Sequence, residues 1–275
     1  MNYYYLISSL PELSPTMDTS KLDFDELFDA IKRNLDETDI QTFKYLIYPN
    51  DLHNLLTTLS KHYLNWSSIG YKLPSIIEIE DVEAFKKNRR NFPDFMNDFL
   101  AENEDRLRGM SRKEMEDAMQ HRFYNQITEL KNSFLSNYFN FYRKLKSIIA
   151  AYNFNTYDFL SKPNISDAER LLLQIGPEST ASTSLLKDYP IVEDLIQVLT
   201  EKKPIDIEHY IDELMWNFLE DSYTDQFSNI AVFAYTLKLQ ILKRWHDIKL
   251  ATNVDYETLI NQIINDNSSK KTPVL

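Results

Sequence analysis

Glycine and cysteine are the residue types that this chain of 275 residues most clearly lacks. Only Gly70, Gly109 and Gly176 occur, where an average chain of this length holds roughly twenty glycines. This scarcity excludes glycine-rich phosphate loops and tight glycine hairpins. Cysteine is absent, which excludes disulfides, thiolate metal sites and cysteine nucleophiles. A reducing compartment, and so the cytoplasm, is the expected location.

Two further absences concern membranes and nucleic acids. No apolar run approaches the ~18 residues of a membrane-spanning helix, and residues 1–7 lack the basic and long apolar regions of a signal peptide. The formal net charge of −12 disfavours binding to phosphate backbones, which depends on clustered Lys and Arg. We therefore expect no transmembrane segment and no nucleic-acid partner, and protein partners instead.

The chain does contain enough apolar and aromatic side chains to build a large helical core. Hydrophobic residues make up 43% of it, including 17 Tyr and 16 Phe. Strand character is confined to 3–7 and 75–80, so we predict an all-α fold with an N-terminal helical bundle over 1–110. Apolar spacing and capping signals predict its helices over 23–36, from 40 to a stop at Pro49, over 51–63, over 81–91 and over 94–107.

The central prediction is one long connecting helix over 111–152. A capping box formed by Ser111 and Glu114 precedes ten apolar residues whose mean spacing is about 3.7, the period of an amphipathic α-helix. The apolar stripe consists of Met115, Met119, Phe123, Ile127, Leu130, Phe134, Tyr138, Phe141, Leu145 and Ile148. At ~1.5 Å per residue such a helix is on the order of 60 Å long. It would link two helical bundles in an elongated body.

The rest of the chain is predicted to hold a second bundle. Residues 153–190 are less regular, with a short helix after Ser166 and an exposed loop of small polar residues over 177–184. A C-terminal helical bundle is predicted over 191–264. Its helices are expected over 191–201, 206–221, 225–249 and 255–265. The segment 265–275 has the composition of a disordered tail.

Histidine is the first residue to examine for chemistry, because metal sites and general bases usually use it. The five histidines are His53, His62, His121, His209 and His246. None lies in an HExxH motif, and the glutamate–histidine pairs of a di-iron bundle are missing. No Gly-x-Ser-x-Gly nucleophile elbow occurs either. We predict no catalytic, cofactor-binding or metal-binding residue.

Two charged segments leave an alternative open. His246 and Asp247 are adjacent, as in helical phosphohydrolases that hold divalent metals, with His209 and Asp255 as conceivable further ligands. The simpler interpretation is that Trp245 faces the core and the pair faces water. The basic cluster over 86–90 could contact an acidic partner or lipid headgroups, although a solvated helix surface explains it as well.

A tyrosine-rich start over 1–13 and four later segments together carry a family resemblance. The segments are 51–56, 139–145, 211–221 and 235–245. In order and spacing they resemble a bacterial family encoded within V-type ATPase gene clusters. That family in turn resembles the V-type ATPase rotor protein known as C in archaea and bacteria and as d in eukaryotes, which we refer to as the C/d component. The motif positions, to which no contact is assigned, are Asp51, Asn54, Leu55, Trp216, Tyr235, Lys238, Arg244 and Trp245.

The resemblance implies a helical socket that rests on the membrane proteolipid ring and receives the central rotor shaft. The expected function is a noncatalytic central-rotor component of a bacterial V-type ATPase. Its implied partners are the central-stalk subunits and the proteolipid ring, with no cofactor and a peripheral location on the inner face of the cytoplasmic membrane. Two alternatives remain: an assembly or regulatory factor of the ATPase, and a metal-dependent helical hydrolase that uses His246 and Asp247.

Overall fold

The computed structural model describes residues 3–66, 70–157 and 191–251, and the all-α prediction is confirmed there. Within these ranges no strand occurs: the first strand-like segment is mostly helix α1, and the second is coil that leads into α4. The helices are α1 Tyr4–Ser9, α2 Phe24–Asn34, α3 Glu37–Leu64, α4 Ile79–Glu83, α5 Asp94–Asn103, α6 Arg112–Glu129, α7 Ser133–Thr156, α8 Val192–Glu201, α9 Pro204–Asp221 and α10 Asn229–Ala251. A 3-10 turn, Thr19–Lys21, precedes α2.

Side-chain caps account for several helix starts. Asp23 accepts a hydrogen bond from the Glu26 N–H at α2, and Asp36 accepts from two N–H groups at α3. Ser111 and Glu114 form the predicted capping box at α6. Each cap satisfies backbone donors that the first helical turn would otherwise leave unpaired.

The predicted helix stop at Pro49 is wrong, because α3 continues through it. Proline inside a helix removes one hydrogen bond and its ring crowds the preceding turn, at a cost of about 3 kcal/mol. Burial offsets this cost, since Leu46 and Ile47 before the proline and Leu52 after it all lie in the core. Helix propensity is here overridden by tertiary packing.

The single long helix predicted over 111–152 is also wrong, because the chain breaks it into α6 and α7. Lys131 adopts a left-handed conformation with φ 51°, and Asn132 accepts a hydrogen bond from the Leu135 N–H as the cap of α7. The rings of Phe123 and Phe139 lie 5.0 Å apart, whereas ~24 Å would separate these positions along a straight helix. Helix α7 therefore folds back on α6.

The main core draws side chains from both ends of the chain. Residues of α1 to α7 form it together with Trp216 and Leu219 of α9 and Phe233 of α10. A smaller core joins α7, α8 and α9. Apolar side chains from both predicted bundles thus pack in one core.

Several predictions fall outside the described residues. They concern the helix after Ser166, the loop over 177–184, the helix over 255–265, the tail over 265–275 and the residue Asp255. Among the described helices, none combines the length and apolar character needed to cross a membrane.

Candidate functional site

A row of polar side chains on α3 holds the loop formed by residues 70–77, which we call the clamped loop. Asp51 accepts hydrogen bonds from the backbone N–H groups of Ile76 (3.1 Å) and Ile77 (3.0 Å). Asn54 binds Lys72 twice, accepting from its N–H at 2.7 Å and donating to its carbonyl oxygen at 2.9 Å. The two polar motif positions on α3 therefore fix backbone.

Two neighbours on α3 extend this row. Asn50 donates to the Pro74 carbonyl oxygen at 2.9 Å, and His53 Nε2 lies 3.1 Å from the Gly70 carbonyl oxygen. A loop without secondary structure of its own must satisfy its backbone groups elsewhere, and α3 supplies the partners. The third motif position, Leu55, is fully buried in the core.

Asp51 is fully buried, and this burial has the largest effect on its pKa. Desolvation raises the pKa of the Asp51 carboxyl to about 7, although the backbone N–H groups that donate hydrogen bonds to it act in the opposite direction. The carboxyl has no access to a ligand. Its function is therefore to anchor the clamped loop.

Lys72 lies in the clamped loop, and its side chain is exposed. Desolvation lowers the pKa of its ammonium group, followed by repulsion from Lys146 and Arg244. Glu116 and Glu208 act in the opposite direction. We call these five residues, whose charges influence one another, the charged cluster.

Helices α7 and α10 carry the other two cations of the charged cluster, Lys146 and Arg244. The Lys146 ammonium lies 4.9 Å from the centre of the Tyr142 ring. Burial disfavours its charge, but interactions with Tyr142, Glu116 and Glu208 leave the pKa of Lys146 raised. Arg244 donates to Glu208 at 2.8 Å and also to Asp212.

The motif residue Trp245 supports the Arg244 side chain. Its indole N–H donates to Asp212 Oδ2 at 2.6 Å, and the His209 ring stacks on it at a centroid distance of 3.7 Å. Burial raises the pKa of the Asp212 carboxyl, while Arg244 and the indole N–H lower it. This network positions the guanidinium group, which remains 39% exposed.

The remaining motif positions join helices inside the fold. Lys238 is only 5% exposed, and its ammonium lies 2.5 Å from Glu220 Oε1, which also accepts from the Trp216 indole at 3.2 Å. Tyr235 donates to the Pro11 carbonyl oxygen at 2.9 Å. These contacts tie α9, α10 and the N-terminal segment together.

The residues considered for a metal site are engaged in separate contacts. His246 Nδ1 lies 3.1 Å from the Thr19 hydroxyl, and Asp247 pairs with Lys243 at 3.0 Å. His209 lies on the Trp245 ring. Within 3–66, 70–157 and 191–251, no three His, Cys, Asp or Glu side chains form a group that could hold a metal ion.

Two other surfaces carry less organised charge. A solvent-open pocket of about 440 Å³ lies between the segment 20–25 and α10, and residues of both charges line it, including Asp23, Lys243 and Asp247. In the basic cluster, the Lys86 ammonium lies 2.8 Å from His62 Nε2, and Arg89 donates to the Phe85 carbonyl oxygen at 2.7 Å. Lys86 and Arg89 of the basic cluster therefore make contacts within the protein itself.

Sequence reasoning found Arg244 but missed the other four residues of the charged cluster. Lys72 lies in a loop that no periodic pattern describes, and Glu116 and Lys146 are polar positions on amphipathic helices. The single available signal was the motif residue Asn54, whose amide can clamp a backbone. Its partner could not be named without the structure.

The sequence matches a known family of proteins. A family model described as Protein of unknown function (DUF2764) matches residues 1–267. No curated protein and no solved structure matches the chain.

Proposed function

The chain belongs to the DUF2764 family, and from its motifs and their contacts we propose that it is a noncatalytic central-rotor component of a bacterial V-type ATPase. In this function it couples the rotor shaft to the proteolipid ring at the inner face of the cytoplasmic membrane. The basis is the resemblance of its motif segments to the C/d component, together with what those motif residues do in the fold.

One observation carries the proposal. The polar motif residues come from segments far apart in the sequence, yet each holds another part of the chain in place. Asn54 holds the Lys72 backbone, and Tyr235 donates to the Pro11 carbonyl oxygen. Contacts of this kind make a fold rigid, and a component that transmits torque needs that rigidity.

The noncatalytic part of the proposal is supported by how the other charged motif residues are used. Asp51 binds loop backbone, and Lys238 is paired with Glu220. Both side chains are buried, so neither can reach a substrate. Residues in these positions supply rigidity, which a torque-transmitting component needs.

The break between α6 and α7 changes the physical basis for that rigidity. Instead of one long helix, two helices pack side by side through aromatic rings. Phe123 and Tyr124 make edge-on contacts with Phe139, and Arg143 lies over the Tyr124 ring. Close-packed interiors resist deformation and transmit strain. A folded-back pair that joins the main core therefore suits a coupling function.

The test is purification of the V-type ATPase from the host, followed by quantification of this protein in the intact complex and in the separated rotor. A shaft-to-ring coupler is expected at one copy per complex and in the rotor fraction. Its absence from the rotor fraction would overturn the proposal. Presence only in incomplete complexes would favour the assembly-factor alternative instead.

A further inference from the structure

Cations from different parts of the chain meet aromatic rings at the C-terminal end of α3. The Lys61 ammonium lies 4.1 Å from the centre of the Tyr71 ring. The Arg112 guanidinium, at the start of α6, lies 5.5 Å from the centre of the Trp66 ring and donates to the Ser60 hydroxyl at 2.8 Å. Contacts between a cation and a ring hold the charged group at a defined place beside an apolar surface.

A third cation, Lys86, reaches the same helix end and contacts a histidine there. Its ammonium lies 2.8 Å from His62 Nε2 and 5.4 Å from the centre of the Tyr63 ring. A carboxylate partner would neutralise the ammonium charge, whereas the imidazole acceptor leaves it in place. The name basic end is given to three cations and three rings: Lys61, Lys86, Arg112, Tyr63, Tyr71 and Trp66.

The cations of the basic end form no ion pair with any carboxylate of the described ranges, whereas Arg33, Arg122 and Arg244 each pair with a glutamate. Glu83 lies next to the basic end, where it accepts from the Tyr71 hydroxyl at 2.9 Å. The dipole of α3 adds about half a negative charge at this helix end. Three positive charges exceed these contributions, so the basic end is a locally positive surface.

A locally positive surface is significant in this chain because the net charge is −12. An anionic bilayer repels an acidic protein as a whole, so contact requires a surface on which cations dominate. Segment 84–93, which contains Lys86, adds to that surface with two lysines, two arginines and no acidic residue. Trp66 is 46% exposed, and tryptophan favours the headgroup level of a bilayer. An acidic protein segment would use the cations alone, whereas a bilayer uses both the cations and the ring.

We infer that the basic end docks on an anionic membrane surface, with its three cations at the lipid phosphates and Trp66 at the headgroup level. The inference goes beyond the proposed function, because it adds lipid to the partners of the protein. It also stands apart from that function, since these contacts are present whichever complex the chain joins. Each cation close to an anionic bilayer strengthens binding about fivefold.

The inference is tested with the full chain by cosedimentation with vesicles, either of phosphatidylglycerol and phosphatidylcholine in equal parts or of phosphatidylcholine alone. We expect binding to the anionic vesicles only, and binding that weakens as salt rises. Lys86→Gln and Lys61→Gln should each weaken it about fivefold. The control is Lys32→Gln, an exposed lysine on α2 near the opposite end of α3, which should bind like the wild type. Circular dichroism establishes that the variants are folded.

Fluorescence of Trp66 gives an independent measurement. In a protein whose other two tryptophans are replaced by phenylalanine, the Trp66 emission should move to shorter wavelength when anionic vesicles are added, because the ring exchanges water for the headgroup region. A protein that keeps Trp216 alone, which is buried, should show no such shift. An unchanged Trp66 spectrum with bound vesicles would contradict the assigned orientation.

Three further results would overturn the inference. They are equal binding to both kinds of vesicle, equal binding by the wild type and both lysine variants, and release from anionic vesicles by hexaglutamate or inorganic phosphate at a concentration equal to that of phosphatidylglycerol. Release by hexaglutamate would assign the basic end to an acidic protein, and release by phosphate would assign it to the free ion. The proposed function fails separately. If Lys86 is needed for vesicle binding but the protein is absent from the rotor fraction, the function is wrong and the lipid surface stands.

Discussion

Asp51 shows how one buried carboxyl links protonation to stability. Its pKa in the folded protein is about 7, above the ordinary 3.8, because burial disfavours the charged form. The folded state therefore holds a proton more tightly than the unfolded state does. The resulting contribution to stability is complete below pH 3.8 and is lost as pH rises through about 7.

We expect Asp51→Asn to remove this pH dependence. An asparagine oxygen can still accept from the clamped loop, so the variant should fold, and its free energy of unfolding should vary less than that of the wild type between pH 4 and 8. Each pH unit that separates the two pKa values is worth about 1.4 kcal/mol. Urea unfolding at several pH values measures the difference. Asp29→Asn, at an exposed position on α2, should keep the wild-type profile; identical profiles for both variants would refute the explanation.

Asn54 makes a prediction about the clamped loop itself. In Asn54→Ala the N–H and carbonyl groups of Lys72 lose their partner on α3, and we expect a loss of about 1–3 kcal/mol in the free energy of unfolding. Amide hydrogen exchange at Lys72 should accelerate more than exchange in the core of α3. Asn125→Ala, at an exposed position on α6, serves as the control and should be close to neutral. Unchanged exchange at Lys72 would show that the clamp does not hold the loop.

At the scale of elements, helical content was predictable and helix continuity was not. The stripe from Met115 to Ile148 is real on each side of the break, with Met115, Phe123 and Leu145 buried as predicted. A break of three residues between α6 and α7 leaves the apolar spacing nearly in phase. Periodicity shows which side of a helix is apolar, but it does not show whether the chain continues as one straight helix or changes direction. The one local signal was Asn132, a residue type favoured as a cap.

Asn132 also gives the sharpest test of that break. If it caps α7, Asn132→Ala removes a hydrogen bond to the Leu135 N–H and should lower the free energy of unfolding by about 1 kcal/mol, while Asn132→Asp keeps the acceptor and most of the stability. In an uninterrupted helix the alanine would instead stabilise, because alanine has the higher helix propensity. Chemical denaturation of the three proteins decides by the sign of the change.

At the scale of the whole molecule, the charged cluster was beyond prediction because its residues come from distant parts of the chain. Helix α10 packs on α3, where Gln240 donates to the Leu46 carbonyl oxygen at 3.2 Å, and the Arg244 charge acts on Lys72. The sequence holds 30 basic and 42 acidic residues, and helical periodicity treats nearly all of them as solvent-facing. Predicting which of these charges influence one another requires knowing which helices face each other.

The shared core makes a prediction that separate bundles would not. Asp39 on α3 accepts from Tyr3 at 2.6 Å and from Asn229 on α10 at 2.8 Å, so polar as well as apolar contacts join the two ends of the chain. We expect the described helices to unfold in one cooperative transition. Trp66 follows α3, whereas Trp216 lies on α9, and each can report alone once the other two tryptophans are replaced by phenylalanine.

In both single-tryptophan proteins, the urea midpoint from fluorescence should equal the midpoint from far-ultraviolet circular dichroism of the same protein. Comparing the two midpoints within each variant removes the effect of the substitutions on stability. Because Trp216 is buried, its replacement is expected to destabilise the variant that keeps Trp66 alone. Coincident midpoints are the signature of a two-state unit. A fluorescence midpoint at Trp66 that differs from the circular dichroism midpoint would mean that the N-terminal helices unfold independently.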